Sequence, residues 1–153
     1  MRIIKLGLIS FGFLFLLITL ISILFPSEIR LSRATNLPNN KPQIFSLLKN
    51  EEAWHPAYQD SASRIAITTM GRKTIAQTDS TFVIQLQQEG RKPVTSGWQV
   101  YGTPQSDSLT LQWYMDFTLS WYPWEKFSSL FFERTYGTMM EKGLANFKEQ
   151  MVQ

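Results

Sequence analysis

Leu109-Thr110-Leu111-Gln112-Trp113-Tyr114-Met115-Asp116-Phe117-Thr118-Leu119 is the stretch that decides the fold. Apolar residues hold every odd position, and polar or amphipathic ones hold every even position. Side chains alternate sides along a strand, so this is a strand with one face buried and one face wet, the mark of an antiparallel sheet. Upstream the same reading continues from Ser63. Ile65 and Ile67 alternate, Met70-Gly71-Arg72-Lys73 reads as a turn, and Ile75 follows. Phe82, Ile84 and Leu86 share one face, Gln88-Glu89-Gly90-Arg91 forms a turn, and Trp98 and Val100 mark the next strand. The expectation is β structure from Ser63 to Leu119.

The segment after this strand changes period. Phe127, Leu130, Gly137, Met140, Leu144, Phe147 and Met151 recur at steps of three, four and seven, which predicts one amphipathic helix from about Trp124 to Met151. Lys142, Asn146, Glu149 and Gln150 fall on its polar face. Such a helix needs an apolar surface to cover, and the sheet supplies one. Before the sheet, Glu28–Thr35 alternates as a strand, with Ile29, Leu31 and Arg33 on one side. Asn39, Asn40, Lys41 and Pro42 then introduce a helix over Gln43–Lys49, since asparagine caps helices and proline suits a first turn. A short link holds Trp54, His55 and Pro56.

At the start of the chain, Leu6 to Phe25 is a charge-free apolar run. Twenty helical residues rise about 30 Å, the thickness of a bilayer's hydrocarbon core. The run is longer than a secretory leader's apolar stretch, and no small-residue cleavage signal follows it. It is read as an uncleaved signal anchor over 1–26, stopped by Pro26, with one domain over 27–153. Arg2, Lys5 and the amino terminus favour a cytoplasmic start and a domain outside the cytoplasm, while Arg30, Arg33 and Lys41 on the far side count against it.

The 153 residues carry 15 Lys and Arg against 12 Asp and Glu, a net charge of +3. Setting aside Arg2 and Lys5 leaves 13 basic residues against 12 acidic, scattered along the chain, so no nucleic-acid footprint exists. The absence of cysteine excludes disulfides, thiol catalysis, cysteine metal sites and lipid attachment through cysteine. No metal motif is present, and no cofactor is implied.

The order of elements (strand, short helix, antiparallel strands, long closing helix) is the helix-grip arrangement, an α+β fold in which a curved antiparallel sheet wraps a long C-terminal helix. Glu141-Lys142-Gly143-Leu144-Ala145-Asn146-Phe147-Lys148 is similar to the closing helix of the START-like superfamily, in the SRPBCC or polyketide cyclase-like branch. Pro26-Ser27-Glu28 leading into Arg30 and Arg33 resembles that family's first strand after a membrane helix, as in its N-terminally membrane-anchored bacterial branch. Gln43-Ile44-Phe45 followed by Trp54 and Pro56 resembles its first helix and tryptophan-containing link. The resemblance implies a deep apolar cavity between sheet and helix that takes lipids or other hydrophobic small molecules. Some relatives are cyclases or dehydratases, and others are binders.

The residues weighed for such a site are few. Trp98, Trp113, Met115, Phe117, Gly137, Met140 and Leu144 face the inside and are the expected cavity wall, or else a filled core. A glycine at 137 within a helix marks close approach of the sheet or room for a ligand. His55, the only histidine, is read as a solvent-exposed or hydrogen-bonding loop residue, because no motif supplies the partner a general base needs. Asp116, Glu133 and Glu141 are read as surface charges, with Glu141 near enough to the apolar stripe to reach a cavity mouth. Trp121, Tyr122, Pro123 and Trp124 are read as a packed corner capping the cavity, with lipid headgroup contact as the alternative. The functional expectation is a membrane-anchored, non-catalytic binder of an apolar molecule. The alternatives are a cyclase- or dehydratase-type enzyme using His55 or Glu141, or an interaction module with a filled core.

Overall fold

The computed structural model describes residues 2–152; the amino terminus at Met1 lies outside them. The chain begins with α1 (Arg2–Ile23), continues through β1 (Glu28–Pro38), α2 (Lys41–Lys49) and α3 (Ser61–Thr69), and then runs as a meander of β2 (Gly71–Gln77), β3 (Thr81–Gln87), β4 (Val94–Tyr101) and β5 (Ser108–Thr118). It closes with α4 (Pro123–Ser128) and α5 (Thr138–Val152). The five strands form one antiparallel sheet in the order β1-β5-β4-β3-β2. The first strand therefore returns beside the last, and α5 packs across β1. This is the helix-grip fold.

The alternation in β5 is realised: Leu109, Leu111, Trp113, Met115, Phe117 and Leu119 are all buried. The inner face of β1 carries Ile29, Leu31, Arg33, Thr35 and the buried Leu37, and the strand runs to Pro38, three residues beyond the expected end. α2 forms as its sequence dictates: the Asn40 side chain accepts a hydrogen bond from the Gln43 amide, and Ile44 and Leu48 turn into the core.

Several expectations need correction. Ser61–Thr69 is a helix rather than the start of the sheet. Ile65 and Ile67 stand two apart, as in a strand, but only Ile67 is buried. The decisive signal is Asp60, whose carboxylate accepts from the Ser63 amide and hydroxyl and so caps the helix. Met70-Gly71-Arg72-Lys73 is consequently no turn, and β2 begins at Gly71. Ile75 sits at a bulge in β2 with its side chain exposed.

The C-terminal helix is not continuous. After α4 the chain makes a 3-10 turn (Ser129–Phe131) and a π-helical turn (Glu133–Gly137) before α5 starts. The wider π turn shifts the face presented to the sheet. The predicted stripe holds from Gly137 to Met151 but fails at Leu130, which is exposed. Asn146, expected on the polar face, is half-buried and donates to the Trp54 carbonyl at 3.0 Å. Finally, α1 ends at Ile23, short of Phe25, because a residue before proline avoids helical geometry. Its last turn closes through Leu24 N–H to Ile21 O and Phe25 N–H to Ser22 O.

Candidate functional site

The space between sheet and α5 has two unlike ends. One end is filled by aromatic side chains from separate elements. Trp98 of β4 stacks on Trp113 of β5 at 5.6 Å, and Phe82 of β3 stacks on Trp98 at 5.7 Å. Trp54, from the link, stands edge-on to Trp98, Trp113 and Phe147 at 6.1, 5.5 and 5.2 Å. Edge-to-face and offset-stacked contacts at these separations are the favourable aromatic geometries. Two of the indoles are anchored: Trp54 Nε1 donates to the Leu47 carbonyl at 2.9 Å, and Trp113 Nε1 donates to Ser96 Oγ at 2.8 Å. Gly143 lets α5 lie against this cluster. A Cβ there would stand 2.8 Å from the Trp113 ring and 3.2 Å from Pro56. Met140 and Leu144 are enclosed in the same core.

The other end lies where β5 runs out. Phe117 meets Phe132 at 4.8 Å and Tyr136 at 4.7 Å, and these two meet each other at 5.4 Å. Around this trio is a pocket of ≈ 530 Å³. Its walls are the β3–β4 turn (Gly90–Val94), the end of β5 with Leu119, and Tyr122, Glu125 and Ser128 around α4. A smaller space of ≈ 120 Å³ shares Val94, Phe117 and Tyr136 with it and reaches in to Met70, Leu86 and Met115. Pockets for small molecules run to about 300–1,000 Å³, mostly apolar with a few polar groups. This one has that size, and Arg91, Lys92, Thr118, Ser120, Glu125 and Ser128 are polar members of its wall.

The expected cavity residues thus divide. Met115 and Phe117 line pocket walls. Trp98, Trp113, Met140 and Leu144 lie within the packed core and line neither space. Gly137 faces a charge rather than a cavity: a Cβ there would come 2.9 Å from Arg33 Nη2. Arg33 donates to Glu133 and, at 2.8 Å, to Glu141, bridging β1 to the closing segment. These hydrogen bonds raise the Arg33 pKa further above its ordinary value. Glu141 is thereby held in an exposed ion pair and lines neither pocket. Asp116 is likewise paired on the outer face, where Arg30 grips it at 2.6 and 2.7 Å and lies over the Tyr114 ring. Gly97 makes room for that ring, since a Cβ would strike it at 2.2 Å.

His55 is buried, not solvent-exposed, and sits against Trp54 and Trp113. Its Nδ1 accepts from the Ala57 amide at 3.2 Å, capping the short turn Pro56–Tyr58. Desolvation, with the Arg72 charge adding, lowers its pKa to about 4, so the ring is neutral at pH 7. Nearby, Glu51 is buried against Arg72, and burial raises its pKa although the guanidinium opposes the shift. His55 lines neither pocket.

Trp121 and Trp124 are not a packed corner. They are 66% and 61% exposed, and only Tyr122 of that cluster reaches the pocket wall. Phe132 and Tyr136, the pocket's central aromatics, went unmarked in the sequence. Their spacing of four is a helical pair, but it lies off the stripe that a continuous helix would present.

No family model matches the chain, and no curated protein matches it. Its likeness is to solved structures, and it is one of fold. An uncharacterized protein from Bacillus thuringiensis superposes with a TM-score of 0.55 at 10% identity, over 82% of this chain and 100% of that one. The di-domain ARO/CYC StfQ from the steffimycin biosynthetic pathway gives 0.57 at 8% identity, over 81% of this chain and 51% of that one. The di-domain ARO/CYC BexL from the BE-7585A biosynthetic pathway gives 0.57 at 7%, over 82% and 50%. The chain therefore shares the helix-grip fold of these ARO/CYC domains and spans about half the length of those di-domain proteins. Its N-terminal helix, Ile3–Ile23, is long and apolar enough to cross a membrane.

Proposed function

We propose that this protein is a membrane-anchored, non-catalytic binder of a hydrophobic small molecule or lipid, held at the Phe117–Phe132–Tyr136 end of the grip. The observation that carries the reading is the ≈ 530 Å³ pocket around that trio, on a fold whose other end is closed by tryptophan. The apolar body of the ligand would lie against Val94, Phe117, Leu119, Phe132 and Tyr136. Arg91 and Lys92 at the β3–β4 turn suit an acidic head. Residues 1–26 act as the signal anchor, and Arg2 and Lys5 support a cytoplasmic start with the domain 27–153 outside.

The cyclase- or dehydratase-type alternative needed His55 or Glu141 on a pocket wall. His55 lies among tryptophans and Glu141 is tied to Arg33, so neither residue supports that route. A filled-core interaction module is the second reading, and the Trp54–Trp98–Trp113 packing favours it.

The test is uptake of a fluorescent fatty acid by the full chain in detergent micelles, beside the Ser128→Trp variant. Ser128 is exposed on α4 and borders the pocket, so a large ring there closes it without disturbing the core. The binder reading expects saturable uptake that the variant weakens at least tenfold. Equal uptake by both proteins, or none by either, would contradict it, and absence of uptake would favour the filled-core module.

A further inference from the structure

α1 does not leave the domain freely. It packs on α4, and its covered positions, Ile18, Thr19 and Ser22, fall at helical spacing on one side, with Phe25 covered just beyond its end. The Phe25 ring stands edge-on to Phe127 at 5.5 Å. The buried Lys126 ammonium donates to the Phe25 carbonyl and to Ser27 Oγ, each at 2.9 Å. The Leu119 amide donates to the Ser27 carbonyl at 2.7 Å. These contacts fix α4 at the depth of the last turns of α1. Ser22, fully covered, is adjacent to Ile23, where the apolar span ends. A helix rises about 1.5 Å per residue, so Ile18 lies only about 7 Å deeper than Ile23. A bilayer crossed by Ile3–Ile23 has its boundary beside α4.

At that depth the surface is bare aromatic and aliphatic. Trp121, Trp124 and Phe131 are 66%, 61% and 66% exposed, and Leu130 is 59% exposed. Tyr122 stacks on Trp124 at 4.8 Å with 12° between the planes, and Trp121 leans on Tyr122 at 4.7 Å. The three rings make one slab at the entrance to α4. Tryptophan and tyrosine favour the membrane–water interface, where a flat apolar ring with a polar N–H or O–H meets both media. An exposed slab of stacked aromatic rings, with two more large apolar side chains exposed within seven residues of Trp124, marks an interaction surface rather than ordinary exposure. Its neighbours in the pocket rim, Arg91 and Lys92, are exposed cations of the sign that anionic headgroups attract.

We infer that Trp121, Tyr122, Trp124, Leu130 and Phe131 form an interfacial foot that enters the headgroup–acyl boundary of the bilayer crossed by α1. The foot holds the domain against that surface and fixes the pocket rim at the membrane. The inference rests on α1 spanning the membrane, and its occupant is the lipid of that same bilayer. Covalent continuity with α1 and the Lys126 clamp argue for the bilayer over a protein partner, because they set the patch at bilayer depth whatever else binds.

The test uses the full chain reconstituted into phosphatidylcholine vesicles, with and without bromine on the upper acyl carbons. Brominated acyl chains quench tryptophans that lie within a few ångströms. Trp54, Trp98 and Trp113 are buried in the core and serve as the internal background. The foot predicts at least twofold greater fractional quenching in the native chain than in the double variant Trp121→Phe/Trp124→Phe. Both proteins should stay with the vesicles after alkaline washing. Equal quenching in two alkali-resistant proteins would overturn the foot and leave the anchor standing. Release of the native chain by alkali would overturn the anchor and the foot together.

Discussion

The two ends of the grip differ in what fills them. At one end, four rigid rings from the link, β4, β5 and α5 meet at 5.2–6.1 Å, and Gly143 draws the helix down onto them. At the other, Phe132 and the π turn's Tyr136 stand against Phe117, and space remains beside them. The same sheet and the same closing segment serve both. The difference teaches that the cavity of a helix-grip fold is set by local side-chain volume and by how the closing helix is interrupted. Here the open end is also the end beside α1 and α4.

The contrast can be broken first at its filled end. Trp113→Ala empties a site enclosed on all sides and orphans the Ser96 hydroxyl, and such truncations cost about 3–5 kcal/mol. Urea unfolding of the full chain in micelles should show a loss of that order. Tyr136→Ala, at the half-buried open end, should cost clearly less stability while weakening fatty-acid uptake. Equal costs would mean the two ends are packed alike.

Acid sharpens the contrast next. The pKa of His55 is about 4 in the fold and about 6.5 when unfolded. The unfolded chain takes up the proton first, so the contribution of His55 is full above pH 6.5 and is lost as pH falls toward 4. A shift of that size corresponds to roughly 3 kcal/mol across the window. Glu51, with its raised pKa, acts in the opposite direction in acid and blunts the slope. His55→Asn keeps an acceptor for the Ala57 amide and removes the ionisation. Its urea midpoint should change less than that of the native chain between pH 7 and pH 5; parallel changes would contradict the buried neutral ring.

The glycines of the closing segment give the smaller effects. Gly143→Ala presses a Cβ into the fixed Trp113 ring, and overpacking of this kind costs about 1–3 kcal/mol, partly offset by a helix-propensity gain of up to about 1 kcal/mol. Gly137→Ala meets the Arg33 guanidinium at 2.9 Å and the Glu133 carboxylate at 3.3 Å, the far ends of long side chains that can give way, so its urea midpoint should fall less than that of Gly143→Ala. A reversed order would show that the tight approach lies at the Arg33 bridge.

Much of this architecture is written in local pattern. The alternation of Leu109–Leu119 dictates a half-buried strand, and Gly137–Met151 dictates the covering face of α5, because each signal arises within one element. Two elements escape that logic. In Ser61–Thr69, Ile65 and Ile67 imitate a strand period, and the cap at Asp60 outweighs it. In the closing segment, composition suits one helix throughout, and the break at Glu133–Gly137 coincides with the ion pairs that Arg33 brings from β1. The candidate site is less legible still. Trp98 and Trp113 read as inner-face residues and Trp54 only as part of a link, and their meeting, which closes one end, depends on three distant segments. Phe132 and Tyr136 face the pocket from the start of the break and from within it, at positions off the stripe of a continuous helix.

The proposed ligand is an apolar molecule at the Phe117–Tyr136 end. Its most direct test is native mass spectrometry of the full chain released from membranes in micelles, with lipid extraction of the same sample. One apolar molecule should be retained per chain and be lost from the Ser128→Trp variant. An empty native chain, or a ligand retained equally by the variant, would contradict it.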